Sequence, residues 1–224
     1  MKIEAVAFDV GETLVDETRV WSMWADWLGV PAFTLMGVMG TVIERNEHHR
    51  RVFEYFRDDF DLDAAYQARR EAGVAFELGA GDLYPDVAGC FRDLDAAGFR
   101  LAIAGNQPGD IEAPIRALGL PVELVAASAT WGVEKPAPAF YERLSAELGL
   151  SPGQIAYVGD RVDNDVVPAW AAGMVSIFIR RGPWGYIHAR RPGAERAHIK
   201  IESLAELPAA LSAWNNANEQ LKES

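Results

Sequence analysis

Asp9 stands directly after the apolar run Ile3-Glu4-Ala5-Val6-Ala7-Phe8 and before Val10-Gly11, where the glycine permits a sharp turn. Alone, an aspartate there is more often a turn former or helix cap than a reactive group. Asp160 repeats the arrangement: Ile155-Ala156-Tyr157-Val158-Gly159 leads into it, and Arg161-Val162-Asp163-Asn164-Asp165 follows. Two carboxylates at neighbouring strand ends repel each other unless one is protonated or a cation bridges them, and an oxygen-only set with few ligands suits Mg2+. Asp160, nearest the strand, is the better ligand, and Asp163 reads as a solvated or capping side chain. Asp165 either orients a metal-bound water or caps the following helix; the sequence leaves both open.

Lys135 is one of only four lysines, with Lys2, Lys200 and Lys222, and it lies in Trp131-Gly132-Val133-Glu134-Lys135-Pro136-Ala137-Pro138. The two prolines stiffen the chain and can start a helix, which fixes Lys135 at that helix's N-terminal edge. A cation there adds to a place that already favours anions. Beside two strand-end acids, it reads as a phosphate clamp and a counter-charge to Asp9.

The elements that must position these groups show in the hydrophobic pattern. Apolar runs at 3–8, 100–104, 122–126, 154–158 and 174–179 alternate with helical stretches at about 86–97, 108–118, 136–149 and 161–172, several closed by glycines such as Gly98, Gly119, Gly149 and Gly173. Strands buried on both faces by crossover helices have this pattern, so an α/β fold with a doubly wound, Rossmann-like parallel sheet is expected. Ligands of such sheets bind at the carboxyl ends of the strands, where these candidates sit. Roughly 70 residues separate the first strand from the helix leading to the second, too many for an ordinary loop. Trp21, Trp24, Trp27 and Leu28 share a helical face there, and Val42, Phe53, Phe56 and Leu62 continue the pattern. Residues 16–82 are therefore expected to form a small helical cap inserted into a core of 1–15 and 83–224, with the tryptophans read as packing. The polar last ten residues are expected to fray.

Composition narrows the partners. A chain of 224 residues with net charge −12 and no basic stripe repels polyphosphate backbones, which argues against DNA or RNA. No apolar run reaches the roughly 18 residues of a membrane span, and the chain enters a strand without a basic, apolar leader, so a soluble cytoplasmic protein, monomer or homodimer, is expected. The single cysteine, Cys90, reads as a buried small hydrophobe.

Asp9, Asn106 after its strand, Lys135 with its two prolines and Gly159-Asp160 occur in the order of the four motifs of the haloacid dehalogenase superfamily, which the chain resembles over about residues 3–180. The Leu83-Tyr84-Pro85-Asp86-Val87 and Ala171-Ala172-Gly173-Met174 segments fit the same pattern. The resemblance implies an aspartyl-phosphate formed on Asp9 and released by water. It also implies Mg2+ held by Asp9, Asp160 and the Gly11 carbonyl, phosphate contacts from Gly105, Asn106 and Lys135, and a small phosphorylated substrate.

Two positions depart from the family pattern. Gly11 stands where family phosphatases usually carry a second aspartate as general acid/base, a group contributing about 10²- to 10⁴-fold. Gly105 stands where Ser or Thr usually contacts the phosphoryl group. Glu12, where the family usually has glycine, is the nearest spare carboxylate. Within the superfamily, haloacid dehalogenases also lack the second aspartate but work without metal, which Asp160 and Asp165 argue against. Phosphonoacetaldehyde hydrolases need a cap lysine, and none lies between Lys2 and Lys135. The readings left are a phosphatase favouring good leaving groups and a catalytically weak binding or regulatory protein. Arg45 and His49, with His48, Arg50 and Arg51, form the one basic cluster of the cap and are substrate-contact candidates beside the plainer reading of a solvated face. Arg180-Arg181-Gly182-Pro183-Trp184-Gly185-Tyr186 is a further anion-site candidate.

Overall fold

The computed structural model describes residues 2–223, which divide into two compact units, Met1–Asp16 with Gly79–Ser224 and Glu17–Leu78. The larger unit is built on six parallel strands: β1 (Ala5–Phe8), β2 (Arg100–Gly105), β3 (Leu124–Ala127), β4 (Ile155–Gly159), β5 (Val175–Ile179) and β6 (Ile199–Ile201). Their spatial order is β3-β2-β1-β4-β5-β6, the doubly wound arrangement whose strand order reverses beside β1. Phe8 at the end of β1 pairs with Ile103 of β2 on one side and Val158 of β4 on the other. Asp9 therefore leaves the sheet at the crevice where that topology places ligands.

The central strands are apolar because both faces are covered: every residue of β1, β4 and β5 is buried. The covering helices carry their apolar residues three and four apart. In the helix Val87–Ala96, Val87, Cys90, Phe91 and Leu94 are buried. The Cys90 thiol, pushed up to about 12 by burial first and then by the neighbouring acids, is protonated and inert, as a core hydrophobe should be. The helix Pro138–Leu148 opens with proline in its first turn, ends at Gly149 in the left-handed conformation (φ 63°), and buries Phe140, Tyr141, Leu144 and Leu148.

The smaller unit contains helices Thr18–Leu28, Ala32–Glu44 and Leu62–Glu71 around a single aromatic centre. Trp24, 2% exposed, meets Phe53, Phe60 and Tyr66 at centroid distances of 4.8, 6.4 and 5.0 Å, and the Arg69 guanidinium lies 4.0 Å over its ring. Trp24 is thus a packing residue. No single helix among the described residues is long and apolar enough to cross a membrane; the first two pass together on composition, but a 110° bend separates them.

The boundaries of the insert lie a few residues inside the expected 16–82. Both chain crossings pair within the larger unit: Val15 bridges Leu83 in antiparallel fashion, Asp16 N–H donates to the Asp82 carbonyl (2.8 Å), and Tyr84 N–H donates to that of Leu14 (2.9 Å). Residues 79–82 thus belong with the sheet.

Two further differences arise at the C-terminal side. β6 has only three residues, too short to leave a period in the sequence. The last ten residues, expected to fray, instead begin inside a helix, Leu207–Glu223, and their first member, Asn215, is buried. Its side chain accepts from Ile3 N–H (2.7 Å) and donates to the Ile3 carbonyl (3.1 Å), tying the helix to the chain entering β1. Asn215→Leu should leave both backbone groups buried and unpaired, lowering the unfolding free energy by about 1–3 kcal/mol in urea titration; an unchanged midpoint would show that the tie contributes nothing.

Candidate active site

Asp9 is aimed by backbone bonds on either side of it. Its own N–H donates to the Val158 carbonyl of β4 (2.9 Å), and the following turn is closed by Val10, whose carbonyl accepts from Leu14 N–H (2.8 Å) and Val15 N–H (3.0 Å). Glu12 adopts φ 53° within that turn, a conformation natural to glycine and costly for other residues.

Lys135 reaches the same point from the other side of β1. It is 3% exposed, and its Nζ donates to Asp9 Oδ1 (2.7 Å) and Asp165 Oδ1 (2.6 Å). Asn106 holds the lysine's backbone, accepting from Lys135 N–H (2.7 Å) and donating to the Lys135 carbonyl (2.8 Å). The amide expected at a phosphate is thus spent, in this arrangement, on fixing the loop that carries the cation.

Asp160 and Asp165 complete the cluster. Residues Val162–Val166 form one π-helical turn before Val167–Ala171 continues as α-helix, a local widening common at functional sites. That turn carries Asp165 back across Gly159: Oδ2 accepts from Arg161 N–H (2.9 Å) while Oδ1 meets Lys135. A Cβ on Gly159 would stand 2.3 Å from the Asp165 carboxylate carbon, so only glycine permits the crossing. Asp165 therefore caps its own turn and, with the other oxygen, holds Lys135. Asp163 points elsewhere, in a paired contact with Arg161 (3.1 and 2.7 Å) that outweighs the effect of burial and holds its carboxyl below the usual range.

The electrostatics leave this cluster short of positive charge. Three carboxylates, Asp9, Asp160 and Asp165, offer oxygens within 4.8 Å of one another, and one ammonium faces them. Burial, then repulsion from Asp165, Asp9 and Glu12, drives the Asp160 carboxyl well above its ordinary range. Burial raises Asp165 to about 6 despite Lys135. Burial disfavours the Lys135 ammonium, but Asp165 and Asp9 outweigh it and raise its pKa. Among the described residues Asp160 Oδ2 is buried with no hydrogen-bond partner. An orphaned carboxylate oxygen in an oxygen-only set, with three anions against one cation, fits a hard dication such as Mg2+.

Around the cluster the floor is aromatic. Tyr157 donates to the Ala104 carbonyl (2.7 Å) with its ring 5.4 Å from Lys135 Nζ, and Tyr141 donates to the Asn164 carbonyl. Gly105 closes β2 beside Asp9; a Cβ there would stand 2.6 Å from Asp9 Oδ1. The other candidates are engaged differently. Glu12 Oε2 accepts from the Tyr84 hydroxyl (2.6 Å). Arg180 pairs with Glu202 on the surface (2.8 Å), while Arg181, 7% exposed, binds Asp86 through two nitrogens (3.1 and 2.5 Å) and also the Thr13 carbonyl (3.3 Å). Arg181 thus serves as internal bracing, while Arg180 and Tyr186 lie at the surface. In the helical unit Arg45 donates to the Tyr55 hydroxyl (2.6 Å) and His49 stacks on His48 (4.4 Å).

Three groups have roles that the sequence did not assign to them: His188, Tyr84 and Gly159. The His188 imidazole, brought down to about 4 chiefly by burial, stays neutral and accepts from Val162 N–H (3.1 Å), anchoring the start of the π turn. Gly159 is visible in the sequence as the residue before Asp160, but its need follows only from the returning turn.

Residues 3–173 match the haloacid dehalogenase-like hydrolase family. The chain belongs to that family. Among its relatives is a glyceraldehyde 3-phosphate phosphatase of Methanopyrus kandleri, 39% identical over 81% of this chain and 86% of the relative. A plasmid-borne phosphoglycolate phosphatase of Cupriavidus necator is 32% identical over 93% of each chain. A HAD phosphatase structure from Thermococcus onnurineus, 22% identical, superposes with a TM-score of 0.59 over 94% of this chain and 98% of that one, a likeness of fold. The strand-end carboxylates and Lys135 lie within the matched residues and form the candidate catalytic centre.

Proposed function

We propose that this hydrolase is a Mg2+-dependent phosphatase of small phosphorylated metabolites, with Asp9 as nucleophile. The observation that carries the reading is the buried set itself: Lys135 shared between Asp9 and Asp165, with Asp160 Oδ2 left for a cation. The two phosphatase relatives support the substrate class.

Asp9, Asp160 and the Gly11 carbonyl are the groups that would hold Mg2+, which when bound draws a phosphoryl oxygen to the cluster and offsets its charge. Lys135 keeps one Asp9 oxygen fixed and leaves the other for attack on phosphorus. The ester oxygen departs as Asp9 becomes an aspartyl-phosphate; water then attacks that phosphorus and frees the carboxylate. Lys135 supplies positive charge throughout, in a pocket where burial makes that charge count for more. Gly105 and Asn106 line the end of β2 beside it, Gly105 offering a backbone N–H to the phosphoryl group. Arg45 and His49 are proposed substrate contacts of the insert.

Proton transfer to the leaving group is the step with no evident residue. Gly11 has no side chain, and Glu12 is turned to Tyr84. The preferred substrates therefore carry leaving groups that need little protonation. Steady-state hydrolysis of a series of aryl, acyl and alkyl phosphates, with Mg2+ and with excess chelator, tests both claims. Turnover should need the metal and fall as the leaving-group pKa rises; Gly11→Asp should accelerate alkyl esters by about 10²-fold or more. A chelator-insensitive rate would sink the metal site, and equal rates across the series would sink the leaving-group preference.

A further inference from the structure

Glu12 occupies a place that the chemistry above does not use. It is 6% exposed, and its positive φ is a conformation in which glycine would be easier. A side chain kept there at such a cost needs a contact that repays it. Glu12 Oε2 accepts from the Tyr84 hydroxyl at 2.6 Å. Its other flank is fitted to Gly182, which itself has φ 61° and on which a Cβ would stand 2.2 Å from Glu12 Oε2. Gly182 is thus held free of a side chain by the carboxylate lying against it.

The groups gripping Glu12 are themselves braced. The Arg181 guanidinium lies 4.4 Å over the Tyr84 ring and reaches back to the Thr13 carbonyl, next to Glu12 in the chain. Asp86 holds Arg181 and in turn accepts from the Ser203 hydroxyl (2.6 Å) and Leu204 N–H (2.9 Å). The Asp9–Thr13 turn is therefore tied through Glu12 and Thr13 to the segment following β5 and to the chain entering the helix Val87–Ala96. Glu12 follows Gly11 directly and is buried, so its carboxylate lies in the same buried turn as Asp9 although it is bound elsewhere.

We infer that Glu12 is a positioning residue for the cation site: held by Tyr84 against Gly182, it fixes the turn that presents Asp9 and the Gly11 carbonyl, and adds a fourth negative charge behind them. This rests on the Mg2+ site proposed above. It assigns no proton transfer to Glu12.

Calorimetric titration of the substrate-free protein with MgCl2 separates the two ideas, with thermal unfolding in chelator as the companion measurement. Glu12→Gln keeps an acceptor for Tyr84 but removes the charge. It should weaken Mg2+ binding by about 10- to 100-fold, the range typical of groups that orient metal ligands, while the metal-free protein unfolds at the same or a higher temperature because repulsion is relieved. Tyr84→Phe keeps the charge but frees it, and should weaken binding by a smaller factor. A merely structural Glu12 would instead lower the metal-free unfolding temperature and leave the affinity of the folded protein unchanged, overturning the inference. Equal Mg2+ affinity in the wild type and both variants would also overturn it while leaving the metal site standing. No Mg2+ binding by the wild type would remove both.

Discussion

Replacing Lys135 with methionine should lower kcat by about 10²- to 10³-fold, the loss typical when one donor to developing oxyanion charge is removed. Methionine retains much of the apolar stem, so packing against Tyr157 survives and the lost interaction is the ammonium. The effect on folding should depend on pH. Removing one partner of a buried charge set typically costs about 3–5 kcal/mol, and here Asp9, Asp160 and Asp165 would face one another with no cation. In wild type the Asp165 carboxyl already titrates at about 6 and Asp160 well above its ordinary range; without Lys135 both should rise further. A carboxyl whose folded pKa exceeds its unfolded value binds more protons when folded, so its ionisation removes stability as pH rises. The variant should therefore unfold much more readily than wild type at pH about 8, and the gap should narrow as pH falls through about 6. Urea titrations of both proteins across that range check it: a gap independent of pH would mean that the lysine is not compensating these acids.

Asp9→Asn should be the more severe lesion for catalysis and the milder one for folding. The amide oxygen can still accept from Lys135, whose distance to Asp9 Oδ1 is 2.7 Å in wild type, and one of three clustered charges is gone. The metal-free protein should be as stable as wild type or more so. Turnover should fall by about 10⁴-fold or more, because a neutral amide is a poor nucleophile and no covalent intermediate can form. Rapid acid quench followed by peptide mass analysis should find a phosphoryl group on the Asp9 peptide of wild type and none on the variant. Residual activity within about tenfold of wild type, or a phosphoryl group on another residue, would remove Asp9 from the role of nucleophile. Opposite movements of stability in the two variants, down for Lys135→Met and level or up for Asp9→Asn, would identify the cluster as one electrostatic unit.

Much of the sheet could be read from the chain because buried parallel strands are nearly continuous apolar runs: the five expected strands are all present. β6 could not be read, since three residues carry no period. Asn215 shows the limit of reading polarity as looseness: its amide is buried because two backbone groups of Ile3 need it. At the site, residue types and strand-end positions singled out Asp9, Lys135 and Asp160, which the fold brings together with Asp165; that Asp165 both caps its own turn and grips Lys135 was not visible in the sequence. What the sequence could not disclose was direction. Asn106 bonds the Lys135 backbone, Glu12 turns to Tyr84 and Arg181 turns inward; each depends on partners tens of residues distant in the chain.

Gly105 and Gly159 end the two strands flanking β1, and each gives up side-chain space that a carboxylate of the cluster fills. Asp9 Oδ1 would be 2.6 Å from a Cβ at 105, so the resting rotamer of the nucleophile and the size of residue 105 are a single variable. A serine or threonine there would have to share the edge of β2 with an Asp9 rotated away from its present position, and so away from Lys135. Position 105 and Lys135 are thereby coupled without touching, and the identity of one sets which substitutions the other tolerates.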